Sequence, residues 1–248
     1  MKLAGLRALV CLVAALGLLA SACTGGGAAP NAGGSPTAPE VGPEDVTPPD
    51  PEQTSQVFDE SDTVLNVAIS EPATLDPMRI QDPGSVLVAR QLYEGLTRWD
   101  PVEEEVVAAT AESWRVSNGG RTFTFKLRPG MTFHDGSPVT AQDFVYAFDR
   151  IAQKENASDL AYTLDRVSGF TEVNQLGRGR HLAGLVAPSE LILVIRLDEP
   201  FYDFPAVLTH PALVPLSKTR VQSIDDFLAA PVGNGPFKIA EAWSPGNR

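Results

Sequence analysis

A chain of 248 residues with 31 Asp plus Glu against 19 Lys plus Arg carries a formal net charge of −12. That balance argues against nucleic-acid binding, because neutralising phosphates needs a surplus of Lys and Arg. With 43% hydrophobic and 20% charged residues there is ample material for a core, and both Cys, Cys11 and Cys23, lie near the N-terminus, so disulfides, zinc–thiolate sites and Cys nucleophiles are excluded from the rest.

Lys2 and Arg7 precede an uncharged apolar run from Ala8 to Ala20. The run falls short of the roughly 20 residues that cross a bilayer and suits the hydrophobic region of an export signal. Ala20-Ser21-Ala22-Cys23 resembles a bacterial lipobox, with Ala20 where Leu is usual, which makes Cys23 the expected lipidation site and residues 1–22 a lipoprotein signal peptide. A conventional secretory signal with a chance Cys is the competing reading. Residues 23–61 are mostly Gly, Ala, Pro, Ser, Thr and acid and read as a disordered Gly/Pro-rich tether, since they offer little apolar surface to offset the entropy of ordering. A basic patch is lacking, so lipid rather than a polybasic segment would hold the protein at a membrane.

From Thr63 to Ile69 the alternation of Leu65, Val67 and Ile69 has the period of a strand. Ser85 to Leu96 has spacing closer to helical, with Gly95 suited to its end. Asn118-Gly119-Gly120 between Trp114–Val116 and Thr122–Leu127 signals a hairpin. In its second strand Phe123, Phe125 and Leu127 share one face. Thr140 with Asp143 resembles a capping box ahead of Phe144, Val145, Phe148 and Ile151, which predicts a helix over Ala141–Ala152. A further strand is expected at Leu191–Ile195 after a turn at Pro188-Ser189-Glu190, and a short helix at Ser223–Ala230.

Catalytic constellations are absent from the pattern. His134, His181 and His210 stand apart with no partner at metal-ligand spacing. His134-Asp135-Gly136 reads as a turn, and no G-x-S-x-G elbow is present. Gly177-Arg178-Gly179 and Gly233-Asn234-Gly235 read as turns rather than phosphate loops. Glu103-Glu104-Glu105 reads as a solvated loop. No metal and no cofactor is called for.

Four stretches carry a resemblance. Ser70-Glu-Pro-Ala-Thr-Leu-Asp-Pro77, Leu92-Tyr-Glu-Gly-Leu96, the block Phe123 to Phe148 and Val232-Gly-Asn-Gly-Pro-Phe-Lys238 are similar, in order and spacing, to the signature elements of family 5 extracytoplasmic solute-binding proteins, the oligopeptide- and dipeptide-binding class of ABC importers. The resemblance runs from about Thr63 to Arg248 and covers the N-terminal half of the family's length.

It implies a mixed α/β, periplasmic-binding-protein-like fold of two lobes. The opening segment of the first lobe would be residues 62–91, an inserted β-rich domain 92–205, and the continuation of the first lobe 206–248. By the same resemblance the protein is a monomeric, lipid-anchored receptor on the extracytoplasmic face of the cell membrane. It would capture oligopeptides and deliver them to the transmembrane subunits of an ABC permease, without catalysis. The loop after Leu75-Asp76-Pro77 would face the ligand, which makes Gln81 and Asp82 candidate ligand-binding residues, while Pro83 lacks an N–H to offer. Asn156 to Tyr162 would reach the cleft, adding Tyr162. A residue receiving the peptide's amino terminus would come from the half of the family's length not matched here. Two other readings stay open: the same fold binding a nickel complex, a sugar or a signalling peptide, and a lipid-anchored secreted hydrolase.

Overall fold

The computed structural model describes residues 67–244 and Gly246. The signal peptide, Cys23, the tether and the first residues of the predicted opening strand, Thr63 to Asn66, lie outside the described residues. Among the described residues, four α-helices and six strands follow in mixed α/β order.

The centre is a four-stranded antiparallel sheet of order β3-β4-β6-β5, with β3 Ala111–Ser117, β4 Thr122–Leu127, β5 Leu185–Ser189 and β6 Ile192–Arg196. The predicted β3–β4 hairpin forms around Asn118, Gly119 and Gly120, all of which take positive φ, a left-handed backbone that Gly and Asn tolerate. Phe123, Phe125 and Leu127 point inward and are 0 to 1% exposed. Phe125 lies opposite Trp114 on one side and Leu193 on the other. The strand at Leu191–Ile195 is realised as β6, one residue further along.

Helix α2, Ala141–Ala152, matches its predicted bounds. Thr140 gives both its backbone N–H and its hydroxyl to Asp143 Oδ2, at 2.8 and 2.7 Å, so the first turn is closed as the sequence pattern required. Phe144 and Phe148, one turn apart, are fully buried and meet edge-on with centroids 6.0 Å apart. Their face packs on β5 and β6. A short helix at residues 224–229 fulfils the expectation for Ser223–Ala230.

Two expectations need correction, and one element was not expected. Val67 to Ile69 form no strand, and Val67 and Ile69 are 61% and 42% exposed; alternation alone does not make a strand without a neighbour to pair with, and none of the described strands lies beside it. Helix α1 is Pro83–Leu92 rather than Ser85–Leu96. It starts two residues earlier because Asp82 caps it and Pro83 occupies the first helical position, and it stops at Leu92 because Tyr93 is extended. Between Thr97 and Ala108 an unanticipated hairpin pairs β1, Thr97–Asp100, with β2, Glu105–Ala108. Its tip carries the acidic run, exposed as expected, and Asp100 Oδ1 caps the turn through the N–H groups of Val102 and Glu103. Those bonds hold the Asp100 carboxyl below its ordinary value.

One hydrophobic core runs from Met78 to Phe227 and takes in residues of α1, the sheet, α2 and the Pro-punctuated stretch around Phe204 and Leu213. Every buried side-chain nitrogen and oxygen among the described residues has a hydrogen-bond partner.

Candidate functional site

The loop after Leu75-Asp76-Pro77 and the segment 154–162 are brought together by three side-chain bonds. Arg79 Nη2 donates to the Asn156 carbonyl at 3.0 Å. Gln81 Nε2 donates to Asp159 Oδ2 at 2.8 Å. Ser158 Oγ donates to the Met78 carbonyl at 2.7 Å. Gln81 and Tyr162 are exposed, Tyr162 at 63% on the 3-10 turn Ala161–Leu164. Asp82 has a structural duty that the sequence reading did not assign: its Oδ1 accepts the Ser85 N–H at 2.9 Å and caps α1. Hydrogen bonds from Ser85 hold its carboxyl below the ordinary value.

Beside this junction opens a concavity of about 760 Å³, within the range of small-molecule sites, and Gln81, Asp82 and Tyr162 are not among the residues that line it. Met78 and Arg79 of the loop and Asn156 of the opposite segment lie on its wall, together with Gln142 and Tyr146 of α2 and Gln153 just past its end. Its other side is built by Lys218, Val221, Ile224 and Leu228.

An ion pair that sequence reasoning missed forms part of its wall. Arg150 grips Asp76 with both guanidinium nitrogens, at 2.7 and 2.6 Å, and the two residues are 9% and 2% exposed. Asp76 Oδ1 also accepts the Met78 N–H. Burial works against the charge on Arg150, yet its bonds to Asp76 hold its pKa above the usual value. Asp76 stands in the quoted Leu-Asp-Pro motif, so the motif marked the residue, but nothing in the sequence marked its partner 74 positions away.

Two carboxylates of α2 also lie on the wall. Asp149 accepts the Leu182 N–H and a bond from His181 Nδ1, each at 2.8 Å, and Asp143 serves the cap. Burial pushes both carboxyls above their ordinary value, against the opposing effect of these hydrogen bonds.

Gly233-Asn234-Gly235 also does more than turn. Asn234, 7% exposed, accepts the Glu94 N–H and donates to the Glu94 carbonyl and to Thr110 Oγ1. A Cβ on Gly233 would stand 1.9 Å from the Leu92 carbonyl oxygen, so only glycine admits the approach. The predicted turn residue His134 completes the clasp: Nδ1 accepts the Gly233 N–H at 3.2 Å and Nε2 donates to the Gly235 carbonyl at 3.0 Å. Because a backbone N–H can only donate and a carbonyl only accept, the proton of the neutral ring sits on Nε2. Among the described residues no three His, Cys, Asp or Glu side chains gather as a metal site, and no helix is long and apolar enough to cross a membrane.

The profile of bacterial extracellular solute-binding proteins, family 5 Middle, matches residues 105–248. The periplasmic oligopeptide-binding protein OppA of Salmonella typhimurium is 33% identical over 190 residues, covering 74% of this chain and 34% of that protein. The probable deoxycholate-binding periplasmic protein YgiS of Escherichia coli is 31% identical over 186 residues, covering 70% and 33%. Among solved structures, the unliganded open form of the murein tripeptide-binding protein MppA superposes with a TM-score of 0.66 at 31% identity, covering 70% of this chain and 34% of that one. Haemophilus influenzae OppA in complex with RPPGFSPFR gives 0.65 at 30% identity, covering 70% and 35%. The chain thus spans about a third of the length of the curated relatives it matches. Its mixed α/β fold is that of part of a periplasmic-binding-protein-like structure, and by this match across more than half its residues the chain belongs to the family 5 bacterial extracellular solute-binding proteins.

Proposed function

We propose that the protein is the ligand-capturing component of an ABC importer, that its ligands are oligopeptides, and that a lipid on Cys23 holds it at the outer face of the cell membrane. The observation that carries the ligand reading is the junction of the loop 77–82 with the segment 154–162 at the edge of a concavity of about 760 Å³ lined by Met78, Arg79 and Asn156, in a chain whose relatives include proteins named for oligopeptides. Gln81 and Tyr162 present exposed polar groups at this junction and would meet the ligand, and Asp82 would do so with the carboxylate oxygen its cap leaves free. The division into first-lobe segments 62–91 and 206–248 around an inserted domain 92–205 belongs to the same proposal. The protein would act as a monomer, and no catalysis is required of it, because capture needs only a difference in affinity between open and closed states.

Mass spectrometry of ligand co-purified with the complete protein, followed by thermal shift with the recovered compounds, tests the reading. A saturating ligand at about 100 times its Kd adds roughly 2.7 kcal/mol of stability and is returned uncleaved. A protein that gains no stability from any peptide, or that returns cleaved product, contradicts it. Membrane fractionation of wild type and Cys23→Ala tests the anchor: equal partitioning of the two rules it out. A second reading, a non-peptide solute in the same site, is favoured by the relative named as a probable deoxycholate-binding protein, and the same mass spectra distinguish it.

A further inference from the structure

Three of the four signature stretches meet at one seam. The N–H groups of Gly235 and Phe237 bond the Leu92 and Gln91 carbonyls at the end of α1, at 2.9 and 3.0 Å, and a Cβ on Gly235 would stand 2.5 Å from the Gln91 carbonyl oxygen. His134, from the block Phe123 to Phe148, ties the seam from the other side. Its backbone N–H bonds the Gly233 carbonyl at 2.8 Å, and its ring bonds the Gly233 N–H and the Gly235 carbonyl. Nδ1 accepts the Gly233 N–H only while it carries no proton of its own. A protonated His134 loses that bond and turns a positive charge towards an N–H dipole.

A second imidazole stands under the same condition. His210 lies in a cavity of about 260 Å³ beside the seam, with Arg90, Tyr93, Glu94 and Pro236 on its wall. Its Nδ1 accepts the Ala212 N–H at 3.1 Å, again a bond of the neutral ring alone. Burial, and then the charge of Arg90, push the His210 pKa below its ordinary 6.5. His181, the third histidine, has the opposite sign, because its partner is the Asp149 carboxylate at 2.8 Å and a protonated ring bonds a carboxylate more strongly.

The charged groups around the two rings do not reverse this. His134 is in no ion pair among the described residues. The carboxylate of neighbouring Asp135 is already held by Ser137 and Arg220. Residues 233–237 carry no charge, and Lys238 follows them. Tyr93, packed on Gly233, is buried and stays neutral. In the His210 cavity Glu94, with Oε2 accepting the Thr110 hydroxyl, is the one carboxylate beside Arg90 and Arg98.

We propose that this seam is an acid-sensitive joint, closed while His134 and His210 are neutral and opening as they take up protons, which frees residues 233–237 from the end of α1. The joint is independent of what the protein binds. Imidazole takes up its proton between about pH 8 and 5, and the closed joint binds fewer protons than the open one. Its stability is therefore full above that range and falls as pH drops through it.

Amide hydrogen exchange of the complete protein at about pH 8 and 5, corrected for the intrinsic pH dependence of exchange, tests the joint. The amides of Gly233, Gly235 and Phe237 should lose about tenfold in protection at the lower pH, the value of one hydrogen bond broken at a buried donor. Those of β4 and β6 should keep theirs. His134→Asn and His210→Asn each place an amide oxygen where Nδ1 accepts and cannot be protonated there, so the double variant should stay protected at both pH values. Where a variant does not fold, wild type decides: ring NMR signals of His134 and His210 should titrate together with the loss of protection. Protection that is equal at both pH values overturns the joint. So does protection lost equally in the folded Asn variants, lost together with that of β4 and β6, or lost while both rings remain neutral.

Discussion

Replacing Arg150 with Met removes the guanidinium that neutralises Asp76 and leaves a carboxylate 2% exposed with the Met78 N–H as its remaining donor. Breaking a buried ion pair from one side costs about 3 to 5 kcal/mol, most of it the penalty of an uncompensated buried charge. In a chain of this size each kcal/mol moves the melting temperature by roughly 2 to 4 °C, so Arg150→Met should lower it by about 6 to 20 °C. Asp76→Asn should cost a similar amount, because Asn keeps the bond to Met78 but strands the guanidinium. The double variant Asp76→Asn/Arg150→Met buries no charge and should be more stable than either single, since a neutral replacement of a buried pair is often harmless. Urea unfolding of the four proteins closes the cycle. A loss under about 1 kcal/mol for Arg150→Met, or a double variant as damaged as the sum of the singles, would show that the pair is solvated and that burial was misjudged.

Phe148→Ala should cost about 3 to 5 kcal/mol in urea unfolding, because the ring is fully buried against Phe144 and its neighbours cannot all collapse into the gap. Asn234→Ala strips partners from Glu94 and Thr110 at once, and a loss of about 2 to 3 kcal/mol by the same measurement is expected; a neutral result would mean that water replaces the amide. Asp82→Ala should cost about 1 kcal/mol of helix capping and Asp82→Asn little. The folded-state pKa of Asp82 is depressed from 3.8, so the cap's electrostatic contribution is present above that value and lost as pH falls through the folded pKa. Acid unfolding curves of wild type and Asp82→Asn should therefore converge below that point, and parallel curves would contradict the assignment.

Local signals were legible in the sequence and non-local ones were not. The bounds of α2 followed from a capping pattern and apolar spacing contained within a dozen residues, and the β3–β4 hairpin from a turn tripeptide flanked by alternating aromatics. The β1–β2 hairpin escaped because Thr97–Asp100 is short and carries Arg98 and Asp100, so little in its pattern separates it from a loop; pairing with Glu105–Ala108 defines it. The opening alternation misled for the converse reason, since it supplied a pattern without a partner. At the site, Gln81 and Tyr162 came from resemblance alone. The role of Asp82 as a cap was readable from Asp-Pro ahead of a helical run and was overlooked in favour of a ligand role. Arg150, Asn234 and His134 gave no signal of their partners, because hydrogen bonds across 74, 140 and 101 positions leave no periodic trace.

Those unreadable contacts bear on how the site works. The loop 77–82 is fixed behind by the Asp76–Arg150 pair and beside by Ser158, while α1, which starts where the loop ends, is clasped at its far end by Gly235 N–H and Phe237 N–H bonding the Leu92 and Gln91 carbonyls. Arg79 and Gln81 therefore project from a segment anchored at both ends, so little backbone entropy remains to be lost when a ligand arrives. Rigidity of this kind favours affinity through preorganisation, and it places the apolar wall of Val221, Ile224 and Leu228 at a fixed distance from the loop for as long as the core between them is intact. On the proposed ligand reading, loosening the Asp76–Arg150 pair would weaken binding through the position of the loop that the pair anchors.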